Sequence, residues 1–188
     1  MSNLARQSIK VPSNISLKLD GNSLLLSGPL SKAIINLHIF IFIDVNTNKI
    51  TVSDKLLPNS LGNKKLDGKA LQGSTFALIR QHILGISTGF RKQLNLVGVG
   101  YRASIKSKDS KQILNLKLGY SHKIDLPIPA GLKVICLKPT VISVYGQDKQ
   151  NVYQMAATIK SYKSPEPYKG KGILYQDEKI LRKEGKRS

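Results

Sequence analysis

Ile15-Ser16-Leu17-Lys18-Leu19-Asp20-Gly21-Asn22-Ser23-Leu24-Leu25-Leu26-Ser27 reads as a strand, a tight turn and a returning strand. Ile15, Leu17 and Leu19 alternate with Ser16 and Lys18, the period of a sheet with one face on a core. Asp20-Gly21-Asn22 is a turn signal, and Gly28-Pro29 ends the second strand. Residues 33–37, 39–43 and 49–53 read as three more strands, with a turn at 44–48 before the last. Residues 54–68 are polar and turn-rich. Leu71, Thr75, Leu78, Ile79, His82, Ile83 and Ile86 then recur at intervals of three and four, an amphipathic helix stopped at Gly89. His82 falls on the inner stripe, where a lone histidine is a core or boundary residue rather than a ligand.

The rest of the chain repeats this plan. Residues 94–105 read as one long strand, relaxed at Gly98 and Gly100, and Lys108-Asp109-Ser110-Lys111 is the turn after it. Ile113, Leu116 and Leu118 lie in the returning strand. Strands at 123–126 and 132–137 are separated by Pro127, Pro129 and Gly131, and 141–145 is the last. Cys136 sits in an apolar run and reads as a small buried residue. Asp148 is a good helix N-cap, and Val152, Met155, Ala156, Ile159 and Tyr162 form the stripe of the helix it opens. Leu26–Lys32 resembles Lys117–Lys123 once gaps are allowed. The fold class expected is therefore α+β: two similar domains, each an antiparallel β-sheet packed with one α-helix, plus a basic C-terminal extension. The boundaries expected are an N-terminal arm at 1–10, domains at 11–89 and 90–163, and the extension at 164–188.

Charge narrows the function. The 188 residues hold 30 Lys and Arg against 11 Asp and Glu, a net charge of +19. Such a charge opposes compaction unless a polyanion neutralises it, and nucleic acid and anionic membrane are the usual polyanions. A membrane-surface protein needs lysines flanking the apolar face of a helix, and the 71–86 stretch offers only Arg80. No run of apolar residues is long enough for a transmembrane helix. Residues 1–10 carry neither a signal-peptide core nor a long arginine-rich leader. A phosphate-handling enzyme is also a poor fit. Gly170-Lys171-Gly172 lacks the four-residue gap and the Lys-Ser/Thr pair of a P-loop, and Gly98-Val99-Gly100 lacks the third glycine of a dinucleotide site. His38, His82 and His122 lie on separate elements without ligand spacing, and a single cysteine makes no disulfide framework or cysteine-rich zinc site. No catalytic constellation, metal site or cofactor is implied.

The most informative functional stretch is Ser164-Pro165-Glu166-Pro167-Tyr168-Lys169-Gly170-Lys171-Gly172-Ile173-Leu174-Tyr175. Two prolines hold the backbone extended and two glycines free it. Lysines alternate with those glycines, and Tyr168 and Tyr175 bracket them with flat faces. That combination suits a phosphate-rich surface. Behind it, Asp177-Glu178 ahead of Arg182-Lys183-Glu184-Gly185-Lys186-Arg187 fits a short helix with acids first and bases last.

Pro165–Ile173 with Tyr175, Glu178 and Lys183-Glu184-Gly185-Lys186 resembles the C-terminal signature of the universal large-subunit ribosomal protein L6 family. So do Leu96-Val97-Gly98-Val99-Gly100-Tyr101-Arg102-Ala103, Leu118-Gly119-Tyr120-Ser121-His122 and Gly146-Gln147-Asp148-Lys149-Gln150. Val11-Pro12 and Gly28-Pro29 fit the first half, while residues 34–69 depart from the family's wording. The resemblance implies a non-catalytic constituent of the large ribosomal subunit that binds large-subunit rRNA near the sarcin–ricin loop. Its neighbours would be other large-subunit proteins, with translational GTPases docking nearby and no membrane involved. Carried over by motif, the rRNA contacts are Lys163, Tyr168, Lys169, Gly170, Lys171, Gly172, Arg182, Lys183, Lys186 and Arg187, with Arg91, Lys92 and Arg102 in a second tier. The alternative is a basic membrane-surface or other RNA-binding protein without a ribosomal role. Richness in Ile, Asn and Lys, a short untargeted start, and the likeness of Cys136-Leu137-Lys138-Pro139 to plant-type mitochondrial members favour a mitochondrial ribosome. Chloroplast and bacterial cytoplasm are the alternatives.

Overall fold

The computed structural model describes residues 7–37, 41–46, 49–54, 64–108 and 111–185. Most of the expected N-terminal arm, His38, the turn region 55–63, the Asp109-Ser110 turn, Lys186 and Arg187 lie outside the described residues. The chain divides into two compact units, Met1–Gly89 and Phe90–Ser188. Each unit is antiparallel sheet with one α-helix, the α+β architecture expected, although the sheet is split in two in both.

In the first unit β1 (Ile9–Lys10), β6 (Lys49–Asp54) and β5 (Ile41–Asn46) form one sheet, in the order β1-β6-β5. The hairpin β2 (Ser16–Asp20) and β3 (Ser23–Ser27) joins β4 (Lys32–Asn36) in the other. Asp20 pairs with Ser23 across the turn at Gly21-Asn22, the register that alternation demands. Leu24, Leu26 and Ile35 then lie on a buried face. Helix α1 (Lys64–Ser87) buries Phe76, Ile79, Ile83 and Ile86 in the same core. It is tied to the strands at two points: the Gln72 side chain donates to the Val52 carbonyl at 2.6 Å, and Leu30 N–H donates to the Ile86 carbonyl near the C-terminal end at 3.3 Å.

Three details differ from the sequence reading. The helix begins at Lys64, inside the stretch read as turns, so its core packing outweighs local polarity. Leu78 is exposed and Phe76 buried, because the true stripe runs through 76, 79, 83 and 86. Ile9 is a core residue paired with Ile50, so the last part of the expected arm is a strand.

The second unit holds β7 (Phe90–Val97), β8 (Arg102–Lys108), β9 (Lys111–Lys117), β10 (Ile124–Pro127), β11 (Leu132–Lys138), β12 (Val141–Gly146), α2 (Lys149–Ser161) and β13 (Gly172–Tyr175). One sheet runs β10-β9-β8 and the other β11-β12-β7-β13. The long strand expected over 94–105 is two strands in two sheets. Gly98 accepts from Tyr101 N–H at 3.3 Å, and Gly100 at φ 75° takes a conformation that β-branched neighbours would resist. The chain thereby crosses from one sheet to the other. Leu96 N–H donates to Thr140 and Ala103 N–H to Pro139, so one turn ties both sides of the crossing. Helix α2 opens as expected, with Gln150 N–H donating to the Asp148 carboxylate at 3.0 Å. Val152, Met155, Ala156 and Ile159 bury against Leu94, Leu96, Ile142 and Val144. Cys136 is half-buried, and burial raises the pKa of its thiol.

The largest departure is at the C-terminus. Residues 164–188 read as an extension leaving the body, yet Gly172–Tyr175 is the fourth strand of the main sheet. Ile173 pairs with Leu96 and is fully buried. Ile173→Ala is expected to cost about 2–5 kcal/mol in denaturant unfolding. Leu181→Ala, at a position 92% exposed, is expected to stay within about 0.5 kcal/mol of the parent. Equal, small effects would return the segment to the status of a tail.

Candidate nucleic-acid interface

The candidate contacts sit on the segment between α2 and β13. Its path is set by backbone bonds. Ile173 N–H donates to the Lys163 carbonyl at 2.9 Å, so the chain leaving α2 lies beside the strand that returns. Between them the chain closes a turn: Glu166 N–H donates to Lys171 O at 2.8 Å and Gly170 N–H to Glu166 O at 3.1 Å. Gly172 has φ 146°, and a Cβ there would stand 2.5 Å from Pro165 Cα and 2.8 Å from Ser164 O. Those atoms are backbone and cannot swing aside, so only glycine admits this approach. The proline run and the glycine pair, separate signals in the sequence, are two sides of one contact.

The turn presents Tyr168, Lys169 and Lys171 to solvent. The tail then comes back to it. Lys183 N–H donates to Pro167 O at 2.9 Å, and the Arg182 guanidinium lies over Gly170, where a Cβ would meet Nε at 3.3 Å. Tyr168, Lys169, Lys171, Arg182 and Lys183, with Gly170 and Gly172 beneath them, thus form one exposed cluster. The short helix expected after Asp177 is absent among residues 176–185, because Glu178 is engaged elsewhere. Its carboxylate accepts from Lys160 Nζ at 2.6 and 2.7 Å and from Tyr175 N–H at 3.1 Å.

The remaining candidates are placed differently. Lys163 Nζ stands 4.6 Å from the centroid of the Tyr120 ring. Arg91 and Lys92 lie on β7 beyond Tyr175, which pairs with Leu94, at the opposite end of β13 from the lysine turn. Arg91 donates to Ser143 Oγ at 3.2 Å and to Gln93 Oε1 at 2.7 Å, and it covers the Tyr145 ring. Lys92 packs over Tyr175 at 4.9 Å and Tyr153 at 5.6 Å. Arg102 is exposed on β8, opposite Lys117 in the other sheet. The eleven candidates among the described residues therefore do not make one patch. Lys160, Tyr120 and His122 belong to this region and were not among the contacts expected from sequence, although the last two stand in the quoted motif Leu118–His122. The signal available for the last two was the aromatic pair within Gly119-Tyr120-Ser121-His122.

The cluster consists of cations and an aromatic face. Among the described residues no group of three His, Cys, Asp or Glu could hold a metal ion, and no helix is long and apolar enough to cross a membrane.

The ribosomal protein L6 family model matches residues 97–176. The large ribosomal subunit protein uL6 of Mycoplasmoides gallisepticum is 42% identical over 186 residues, covering 99% of this chain and 97% of that protein. The protein of the same name from Alkalilimnicola ehrlichii is 38% identical, with 100% and 99% covered. The one from Fervidobacterium nodosum is 39% identical with both chains fully covered, 100% each.

The hydrogen bond from Lys160 holds the Glu178 carboxyl below its ordinary pKa. A lowered carboxylate pKa stabilises the fold above the unfolded-state value and loses that contribution as pH falls through the folded one. Thermal stability should therefore fall on acidification below about pH 4.3, and Glu178→Gln should flatten that part of the profile. An unchanged profile would show that the pair contributes nothing.

Proposed function

We propose, because this chain belongs to the ribosomal protein L6 family, that it is a structural component of the large ribosomal subunit and binds large-subunit rRNA through its C-terminal cluster. It is not an enzyme, as members of this family are structural. The observation that carries the rRNA site is the convergence of Lys169, Lys171, Arg182 and Lys183 on a turn held from both sides by backbone bonds. Tyr168, 53% exposed, adds a stacking face beside them. Fixed cations on a bare backbone approach phosphates without first losing much conformational freedom. Lys186 and Arg187 extend the same basic end in sequence.

The finer reading follows the family resemblance. The rRNA bound is the region near the sarcin–ricin loop, other large-subunit proteins adjoin, and translational GTPases dock close by. Arg91, Lys92 and Arg102 serve as secondary contacts away from the main cluster. The compartment favoured by composition and by Cys136-Leu137-Lys138-Pro139 is the mitochondrial ribosome. The relatives described above are bacterial, in keeping with the bacterial alternative.

Lys169→Ala with Lys171→Ala should leave unfolding within about 0.5 kcal/mol of the parent, as exposed substitutions do. The same double variant should reduce incorporation into large subunits. The slope of log K against log salt for rRNA binding should fall by roughly 0.7 to 0.9 for each phosphate that is no longer neutralised. Normal incorporation with an unchanged slope would remove these lysines from the site. Sedimentation of organelle and cytoplasmic extracts should recover the protein with large subunits of the mitochondrial fraction. Recovery with another ribosome would reassign the compartment.

A further inference from the structure

Two open concavities of the second unit share Tyr120 and Tyr162 as walls. One, of about 360 Å³, is lined by Tyr120, His122, Ile124 and Tyr162. The other, of about 460 Å³, carries Lys163 and Lys171 with Ser161, Ser164 and Glu166. The first is aromatic and apolar, the second polar and cationic. Tyr120 is held between them: its hydroxyl donates to the Tyr162 carbonyl at 3.1 Å, and Lys163 Nζ lies 4.6 Å from its ring centroid. The His122 ring is nearly parallel to it, at 19° and 6.0 Å between centroids.

We propose that this pair of concavities binds a single unstacked nucleotide of RNA. The base lies against Tyr120 and His122, and its phosphate meets Lys163 and Lys171. The proposal rests on the RNA-binding reading above and specifies the form of RNA at this place. An aromatic face beside a cationic recess matches the two ends of a nucleotide, and flat side chains accept any base through its π-face. A base inside a duplex already has its faces stacked and cannot enter, so the subsite selects a looped-out or single-stranded residue. Glu166 lines the same recess, and its carboxylate disfavours a phosphate on its own side, away from the two ammonium groups. The subsite is also tied to the core. Lys163 presents its carbonyl to Ile173 N–H of β13, so the recess is not a property of a loose loop. Neither Tyr120 nor His122 is needed to hold the lysine turn, whose own bonds run among residues 163–173.

The test uses the full chain with two probes, a fluorescein-labelled single-stranded RNA hexamer of mixed sequence and an RNA hairpin of continuous duplex. Tyr120→Ala should weaken hexamer binding about tenfold, the scale of one base–aromatic stack, and leave hairpin binding unchanged. Tyr120→Phe should retain hexamer binding, since the ring does the stacking. Should Tyr120→Ala unfold, His122→Ala gives the second reading, with the same selective loss expected. A hexamer carrying 5-iodouridine should crosslink to Tyr120 or His122. Equal losses for hexamer and hairpin, unchanged hexamer binding in both alanine variants, or crosslinks only elsewhere would overturn the subsite while leaving the lysine cluster standing. Failure of the parent protein to bind either RNA would overturn the RNA-binding reading itself, and this subsite with it.

Discussion

The antiparallel pairing of Gly172–Tyr175 with Leu94–Val97 is the contact on which the arrangement of the second unit's candidate site depends. It supplies the fourth strand of the sheet and places Ile173 in the core. It also requires the returning chain to pass against Ser164-Pro165, at a separation that leaves no room for a Cβ on Gly172. The intervening residues are then forced outward as a closed turn, and that turn is where Lys169 and Lys171 stand. Beyond the strand, Lys160 and Glu178 pin the chain to α2. Arg182 and Lys183 come back to the turn they would otherwise leave. The region proposed to bind a polyanion is thereby built on the hydrophobic core, and little backbone ordering would remain to be done at binding.

Two settings recur among the described cations of the second unit. Lys92, Lys149, Lys160 and Lys163 lie over tyrosine rings, and Arg91 is engaged with Ser143, Gln93 and Tyr145. These interactions, each worth about 0.5–1 kcal/mol at exposed sites, give excess charge a local partner in a chain with few acids. Lys169, Lys171, Arg182 and Lys183 are exposed without a ring beneath them, and Lys163 stands at the border, over Tyr120 and beside the same turn. Net charge alone, spread across the sequence, does not distinguish these settings.

Much of the fold was legible because short-range signals carried it. The 15–27 hairpin, the helix opened by Asp148 and the repeat of sheet plus helix all rest on alternation, caps and turn residues. What was missed depended on distance in sequence. Gly98 and Gly100 read as relaxation within one strand, because nothing local reveals that Pro139 and Thr140 bind the two sides of the crossing. Ile173-Leu174-Tyr175 is too short to declare itself a strand without Leu94–Val97 beside it. Polar residues 64–68 begin a helix that packing further along stabilises. Among the site residues, Arg182 and Lys183 come back to the lysine–glycine turn, where the sequence read an extension leaving the body. Arg91, Lys92 and Arg102 do not join them, since charge along a strand says nothing about which end of the sheet it occupies. Lys186 and Arg187 lie beyond the described residues.

The central claim is that the lysine turn is carried by an integral strand of the core. Amide hydrogen exchange on the free, RNA-free protein tests it most directly. Ile173 and Gln176 donate to the Lys163 and Gln93 carbonyls, and their amides should exchange as slowly as those of Leu94 and Leu96, opening only with the whole unit. Exchange at the rate of a frayed terminus, with Leu94 and Leu96 still protected, would contradict the account.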